Sequence, residues 1–91
     1  MGGQLARQYL VERYLPGITR AELLATERGL VEAVATVRAG GMPLAYLGST
    51  FIPEEESSFV HFEGVREGVE QACRLAGLDF ARIVEVEEVE P

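Results

Sequence analysis

Apolar residues alternate with other residue types at the start of the chain. Over residues 4–14 the alternation places Tyr9 and Val11 on one side, which predicts a first β-strand. Pro16 and Gly17 follow directly and end this strand, because proline lacks a donor N–H and glycine favours turns.

A helical pattern begins at Thr19. Thr19 and Glu22 have the spacing of a capping box, in which the hydroxyl and the carboxylate each bind a free backbone N–H. Apolar residues then recur every three or four positions until Gly40 and Gly41 end the helix. The predicted apolar stripe consists of Leu23, Leu30, Val34 and Val37, widened by Leu24 and Val31.

The second half of the chain repeats these patterns. The predicted elements are a strand over 44–52, a polar connection over 53–57, a strand over 58–63, a helix over 65–76 and a strand over 82–89. The short connection makes the two middle strands an antiparallel hairpin. Gly77 stands where a left-handed cap would end the second helix.

The resulting order is strand, helix, strand, strand, helix, strand. Two split β-α-β units of this kind predict an α+β fold, the ferredoxin-like sandwich. Right-handed crossovers place both helices on one face of an antiparallel sheet with strand order 4-1-3-2. At 91 residues the chain forms one domain over 1–91, and residues 1–3 are expected to be a disordered terminus.

A sheet with helices on one face leaves its other face, the open face, without a cover. Because 47% of the residues are hydrophobic, a second copy of the chain is the simplest cover. We therefore expect a homodimer that associates through the open face. The chain contains no lysine and has a net charge of -7, so neither nucleic acid nor an acidic membrane surface is an expected partner.

Cysteine content and hydropathy bear on the compartment. Cys73 is the single cysteine, which excludes an intramolecular disulfide and suggests a buried, inert thiol. No stretch has the features of a signal peptide or the length to span a bilayer, so we expect a cytoplasmic protein.

Histidine and carboxylates alternate with the predicted core residues of the strands. If Val60 and Phe62 face the helices, and Val84 and Val86 do so in the last strand, the residues between them face outward. The candidate metal ligands on the open face are His61, Glu12, Glu63 and Glu85, with Glu87 as an alternative to Glu85. Such a set suits a divalent transition metal such as nickel or zinc, and buried together the carboxylates could include a general acid. The alternative is a solvated strand face with a histidine at an interface.

Several runs of residues resemble a family of small bacterial proteins of unassigned function, one branch of which is described as nickel-binding. The matching runs are 9–13, 15–17, 46–57, 62–63, 76–78 and 82–86, of which the segment from Tyr46 to Glu63 is the most specific. The resemblance implies a ferredoxin-like subunit that dimerises through its sheets as an α/β barrel and binds a transition metal. Val60 and Gly64 stand where family members often have cysteine and alanine, which removes a thiolate ligand.

Three functional hypotheses follow. The first is a non-catalytic homodimer that binds nickel or a small ligand on the open face. The second is an enzyme similar to the cofactor-independent monooxygenases or isomerases built as dimeric α/β barrels, with His61 or Tyr9 facing an enclosed cavity. The third is an interaction module whose barrel is filled by side chains.

Overall fold

Four strands and two helices follow one another in the predicted order. The computed structural model describes residues 6–91, so the expected disordered terminus and the first two residues of the predicted first strand lie outside it. The elements are β1 (Arg7–Tyr14), α1 (Arg20–Ala39), β2 (Leu44–Ile52), β3 (Ser57–Gly64), α2 (Arg66–Leu75) and β4 (Arg82–Val86). A 3-10 turn over Pro53–Glu55 joins β2 to β3.

The strands form one antiparallel sheet in the order β2-β3-β1-β4. This arrangement confirms the predicted strand order and the ferredoxin-like α+β fold. The helices and the sheet enclose one hydrophobic core. Among residues 6–91, neither helix is long and apolar enough to cross a membrane.

Local hydrogen bonds cap the start of α1 and the end of α2, as the sequence predicts. Thr19 Oγ1 accepts from the Glu22 amide at 3.1 Å, while Glu22 Oε1 accepts from the Thr19 amide at 2.9 Å. These bonds to the Thr19 backbone and hydroxyl lower the pKa of Glu22. At the end of α2, Gly77 has a φ of 65° and the Leu78 amide donates to the Cys73 carbonyl at 2.9 Å, which forms a Schellman cap.

The core lies between the helices and one face of the sheet. Val11, Val60 and Phe62 are fully buried there, as their alternation predicts. Part of the prediction for α1 is wrong, because Leu24 and Val31 are 45% and 49% exposed. They lie on the flank of the helix that turns away from the core.

The prediction that Val84 and Val86 of β4 face the helices is also wrong, by one residue. Ile83, not Val84, pairs with Val11 and is buried against the helices. Val84 pairs with Leu10 on the open face, and Glu85 pairs with Tyr9 on the helix-facing side. Apolar residues occupy consecutive positions at the start of this strand, so alternation alone did not determine its register. The strand also ends at Val86 rather than at residue 89.

A β-bulge interrupts β2 at Leu47. Tyr46 pairs with Phe62 and Gly48 pairs with His61, so Leu47 is an extra residue without a partner in β3. Gly48 has a φ of 111°, a conformation that glycine adopts without steric cost. As a consequence Tyr46 and Ser49, three positions apart, both face the helices.

Candidate functional site

On the open face, three rows of side chains cross all four strands. Directly paired residues of antiparallel strands lie on the same face, which defines each row. Written from β2 to β4, the rows are Ala45–Glu63–Gln8–Val86, Gly48–His61–Leu10–Val84 and Thr50–Phe59–Glu12–Arg82. The middle row is mainly apolar, with one imidazole in it.

His61 occupies an inner strand of this face and is partly buried. Its partner in β2 is Gly48, which has no side chain, so the imidazole has free space on that side. Thr50 Oγ1 lies 3.3 Å from His61 Nε2, within hydrogen-bond distance. The structure therefore places the predicted histidine on the predicted face, next to a hydroxyl instead of a carboxylate.

The predicted carboxylate ligands do not converge on His61. Glu12 Oε1 accepts a hydrogen bond from Arg82 Nε at 2.6 Å, in an ion pair within its own row. Glu63 pairs with Gln8 in the next row. Glu85 lies on the helix-facing side, where it binds Arg7 Nη1 at 2.9 Å, so its placement on the open face was wrong.

These positions decide whether one chain fits a divalent metal. Within residues 6–91 no three His, Cys, Asp or Glu side chains come close enough to hold a metal ion. Transition metals at protein sites need several nitrogen, sulfur or carboxylate ligands at once. The donor set of one chain therefore does not fit nickel or zinc.

A second polar cluster, which the sequence did not suggest, lies on the other side of the sheet. Arg13 of β1 is 1% exposed, and its Nη2 donates to Glu27 Oε2 of α1 at 2.9 Å. The same nitrogen lies 3.4 Å from Ser58 Oγ of β3. The ion pair thus joins a strand to a helix at the edge of the core.

The other oxygen of Glu27 accepts from two hydroxyl groups of β2. Tyr46 and Ser49 both donate to Glu27 Oε1. Burial raises the pKa of the Tyr46 phenol, and its hydrogen bond to Glu27 raises that pKa further. The phenol therefore remains protonated at neutral pH. The β2 bulge makes this arrangement possible, because it turns both side chains toward the helix.

One feature of the sequence could have revealed this cluster. Arg13 continues the alternation of Tyr9 and Val11, which places a charged residue at a core position. Glu27 follows Leu23 by four positions and precedes Leu30 by three, on the apolar stripe of α1. Two opposite charges on two faces that must pack together indicate a buried ion pair.

Cys73 is fully buried, and no cysteine, histidine or metal site surrounds it among the described residues. Burial raises the pKa of its thiol to about 11. The predicted inert thiol therefore agrees with its surroundings.

We expect the folded protein at pH 8 to react with Ellman's reagent far more slowly than the urea-unfolded chain, which should release one equivalent of chromophore. The reason is that the thiolate is the reactive form and is both scarce and inaccessible. Because the folded pKa is raised, the corresponding contribution to stability is complete below the unfolded pKa and is lost as the pH rises toward about 11. Rapid stoichiometric reaction of the folded protein at pH 8 would contradict this expectation.

Comparisons with known proteins support the fold. A crystal structure of the protein SCO4226 from Streptomyces coelicolor A3(2) superposes with a TM-score of 0.76 and 16% sequence identity, over 91% of this chain and 99% of that chain. No protein-family model and no curated protein matches the chain. The family resemblance and its implied nickel binding therefore remain predictions.

Proposed function

We propose that the chain functions as a non-catalytic homodimer that encloses a small organic ligand between two open faces. The observation that carries this proposal is the middle row of the sheet, where His61 lies beside Leu10 and Val84 on a face that both helices leave uncovered. A mainly apolar surface with one polar group is typical of small-ligand sites.

The size of the open face agrees with a dimer interface. The four strands contain 8, 9, 8 and 5 residues, which at about 3.3 Å rise per residue and about 4.8 Å between strands give a footprint of roughly 500 Å². Side-chain relief increases the accessible area toward the roughly 800 Å² that each partner contributes to a stable interface. A second copy also places apolar side chains from Leu10 and Val84 against their equivalents.

The enzyme hypothesis loses one of its two candidate groups. Tyr9 is buried on the helix-facing side, so His61 is the one of the two that faces the space between the sheets. No carboxylate accepts a hydrogen bond from the imidazole among the contacts of residues 6–91, and its neighbour is Thr50. We therefore do not propose that His61 acts as a general base oriented by a carboxylate.

The dimer is tested by Leu10→Arg, which places a charge in the centre of the open face. We expect light scattering to give twice the chain mass of 10.0 kDa for the parent at micromolar concentration and the monomer mass for this variant. Leu75→Arg is the control, because Leu75 is exposed on α2 away from the sheet. A monomeric parent would refute the proposal, and so would equal dissociation of both variants.

The kind of ligand is tested by equilibrium dialysis of the parent and of His61→Ala against nickel. We expect no saturable binding at micromolar metal, because one chain contributes a single histidine to the interface and its carboxylates point elsewhere. Saturable binding that disappears both in His61→Ala and in Leu10→Arg would instead demonstrate a metal site completed by two chains.

A further inference from the structure

A pocket between α1 and β2 contains the hydroxyl cluster described above, on the side of the sheet opposite to the open face. Its volume is about 200 Å³, which accommodates a small organic molecule. Glu27, Tyr46 and Ser49 form its polar floor, and Leu23, Leu24 and Phe51 form its apolar walls. Arg20, the first residue of α1, lies at the pocket as well and forms no ion pair with the residues described here.

The hydrogen bonds of the floor determine what it can recognise. The hydroxyl protons of Tyr46 and Ser49 are both donated to Glu27 Oε1. The lone pairs of these two oxygens therefore remain available, and a hydroxyl whose proton is already committed acts as an acceptor. Arg13 holds the other carboxylate oxygen from the core side, so the charge of Glu27 is balanced and the carboxylate stays fixed.

A floor made of acceptors selects a ligand that donates hydrogen bonds. The guanidinium of Arg20 selects a carboxylate, which it can bind with two parallel hydrogen bonds. The apolar side chains that line the rest of the pocket favour a short aliphatic side chain on the ligand. Together these three surfaces match a zwitterion in which an ammonium group, a carboxylate and an aliphatic chain belong to one small molecule.

We propose that this pocket binds a small aliphatic amino acid, with its ammonium group on Tyr46 and Ser49 and its carboxylate on Arg20. The β2 bulge is the feature that assembles the site. A regular strand would turn Tyr46 and Ser49 to opposite faces, whereas the extra residue at Leu47 turns both toward Glu27. The inference also accounts for the exposure of Leu24, which lines the pocket instead of the core.

The test is a titration of the isotope-labelled protein followed by ¹H–¹⁵N chemical shifts. The ligands are leucine, 4-methylpentanoate, which lacks the amino group, and isoamylamine, which lacks the carboxylate. We expect saturable shifts with leucine, confined to the start of α1 and to β2, with a Kd at or below about 1 mM. Each of the two fragments should bind about ten-fold more weakly, because each leaves one charged hydrogen bond unmade.

Two variants and a control identify the residues involved. Ser49→Ala and Arg20→Gln should each weaken leucine binding about five-fold or more, since each loses one polar partner of the ligand. Arg28→Gln is the control, because Arg28 lies on the same helix outside this pocket and should leave the affinity unchanged. 5-Aminopentanoate carries its ammonium group and carboxylate at opposite ends of the chain. It should bind more weakly than leucine if the pocket requires both charged groups on one carbon atom.

Three results would overturn the inference. They are the absence of saturable shifts with leucine, equal binding of 4-methylpentanoate and leucine, and unchanged affinity in both Ser49→Ala and Arg20→Gln. The monomeric Leu10→Arg variant should bind leucine like the parent, because the pocket lies on the other side of the sheet. Leucine binding and dimerisation are therefore tested independently of each other.

Discussion

A Glu27→Ala variant is expected to lose about 3–5 kcal/mol of unfolding free energy, because it leaves the Arg13 guanidinium buried without its counter-charge. Small domains have a total stability of about 5–15 kcal/mol, so the loss would be a large share of the whole. Urea denaturation monitored by circular dichroism measures it.

Two further variants separate the charge from other effects of the substitution. Glu32→Ala removes a carboxylate from the exposed side of the same helix and should change the stability by less than about 0.5 kcal/mol. Arg13→Met combined with Glu27→Leu removes both charges and should recover most of the loss, because no charge then remains desolvated. If the unfolding free energy of Glu27→Ala lay within about 1 kcal/mol of the parent's, the expectation would be wrong, because Arg13 would then tolerate the loss of its counter-charge.

The architecture follows from local patterns in the chain. The capping box at Thr19, the Schellman cap at Gly77 and the alternation through Val60 and Phe62 each depend on neighbouring residues. The handedness of β-α-β connections then fixes the order of the strands. For this reason the sheet order agrees with the prediction, although no long-range contact was known.

The register of β4 and the bulge in β2 could not be obtained in the same way. At the start of β4 the consecutive residues Ile83 and Val84 are both apolar and point to opposite faces of the sheet, so either is suitable for the core. Pairing with β1 decides between them, because Ile83 lies opposite Val11. In β2 nearly every residue is apolar or small, and the extra residue becomes visible only when Gly48 is paired with His61.

The wrong register of β4 and the unforeseen bulge in β2 explain the outcome for the candidate sites. The predicted metal set depended on Glu85 facing the same way as His61, and a shift of one residue moves a side chain to the other face. The Glu27 pocket depended on Tyr46 and Ser49 sharing a face, which a regular strand does not allow. The sequence shows which functional groups are present, but the register of β4 and the bulge in β2 determine which of them lie close together.

The residue at which β3 ends should tolerate no side chain. Gly64 has a φ of 152°, and a Cβ added to it would lie 2.4 Å from the Pro43 carbonyl oxygen and 2.9 Å from Leu44 Cα. Both neighbours are backbone atoms at the start of β2, which pairs Leu44 with Gly64, so relief of the overlap requires the strands to separate.

We expect Gly64→Ala to cost about 3 kcal/mol or more, since backbone strain and steric overlap add. For a domain of this size each kcal/mol lowers Tm by about 4–8 °C, so thermal unfolding should detect the loss easily. Gly29→Ala is the matched control, because a Cβ there meets nothing within 4 Å and the residue lies within α1. The control should gain roughly 0.5–1 kcal/mol from its helical position. Equal melting temperatures for Gly64→Ala and the parent would contradict this expectation, because they would mean that β2 and β3 separate at this point without cost.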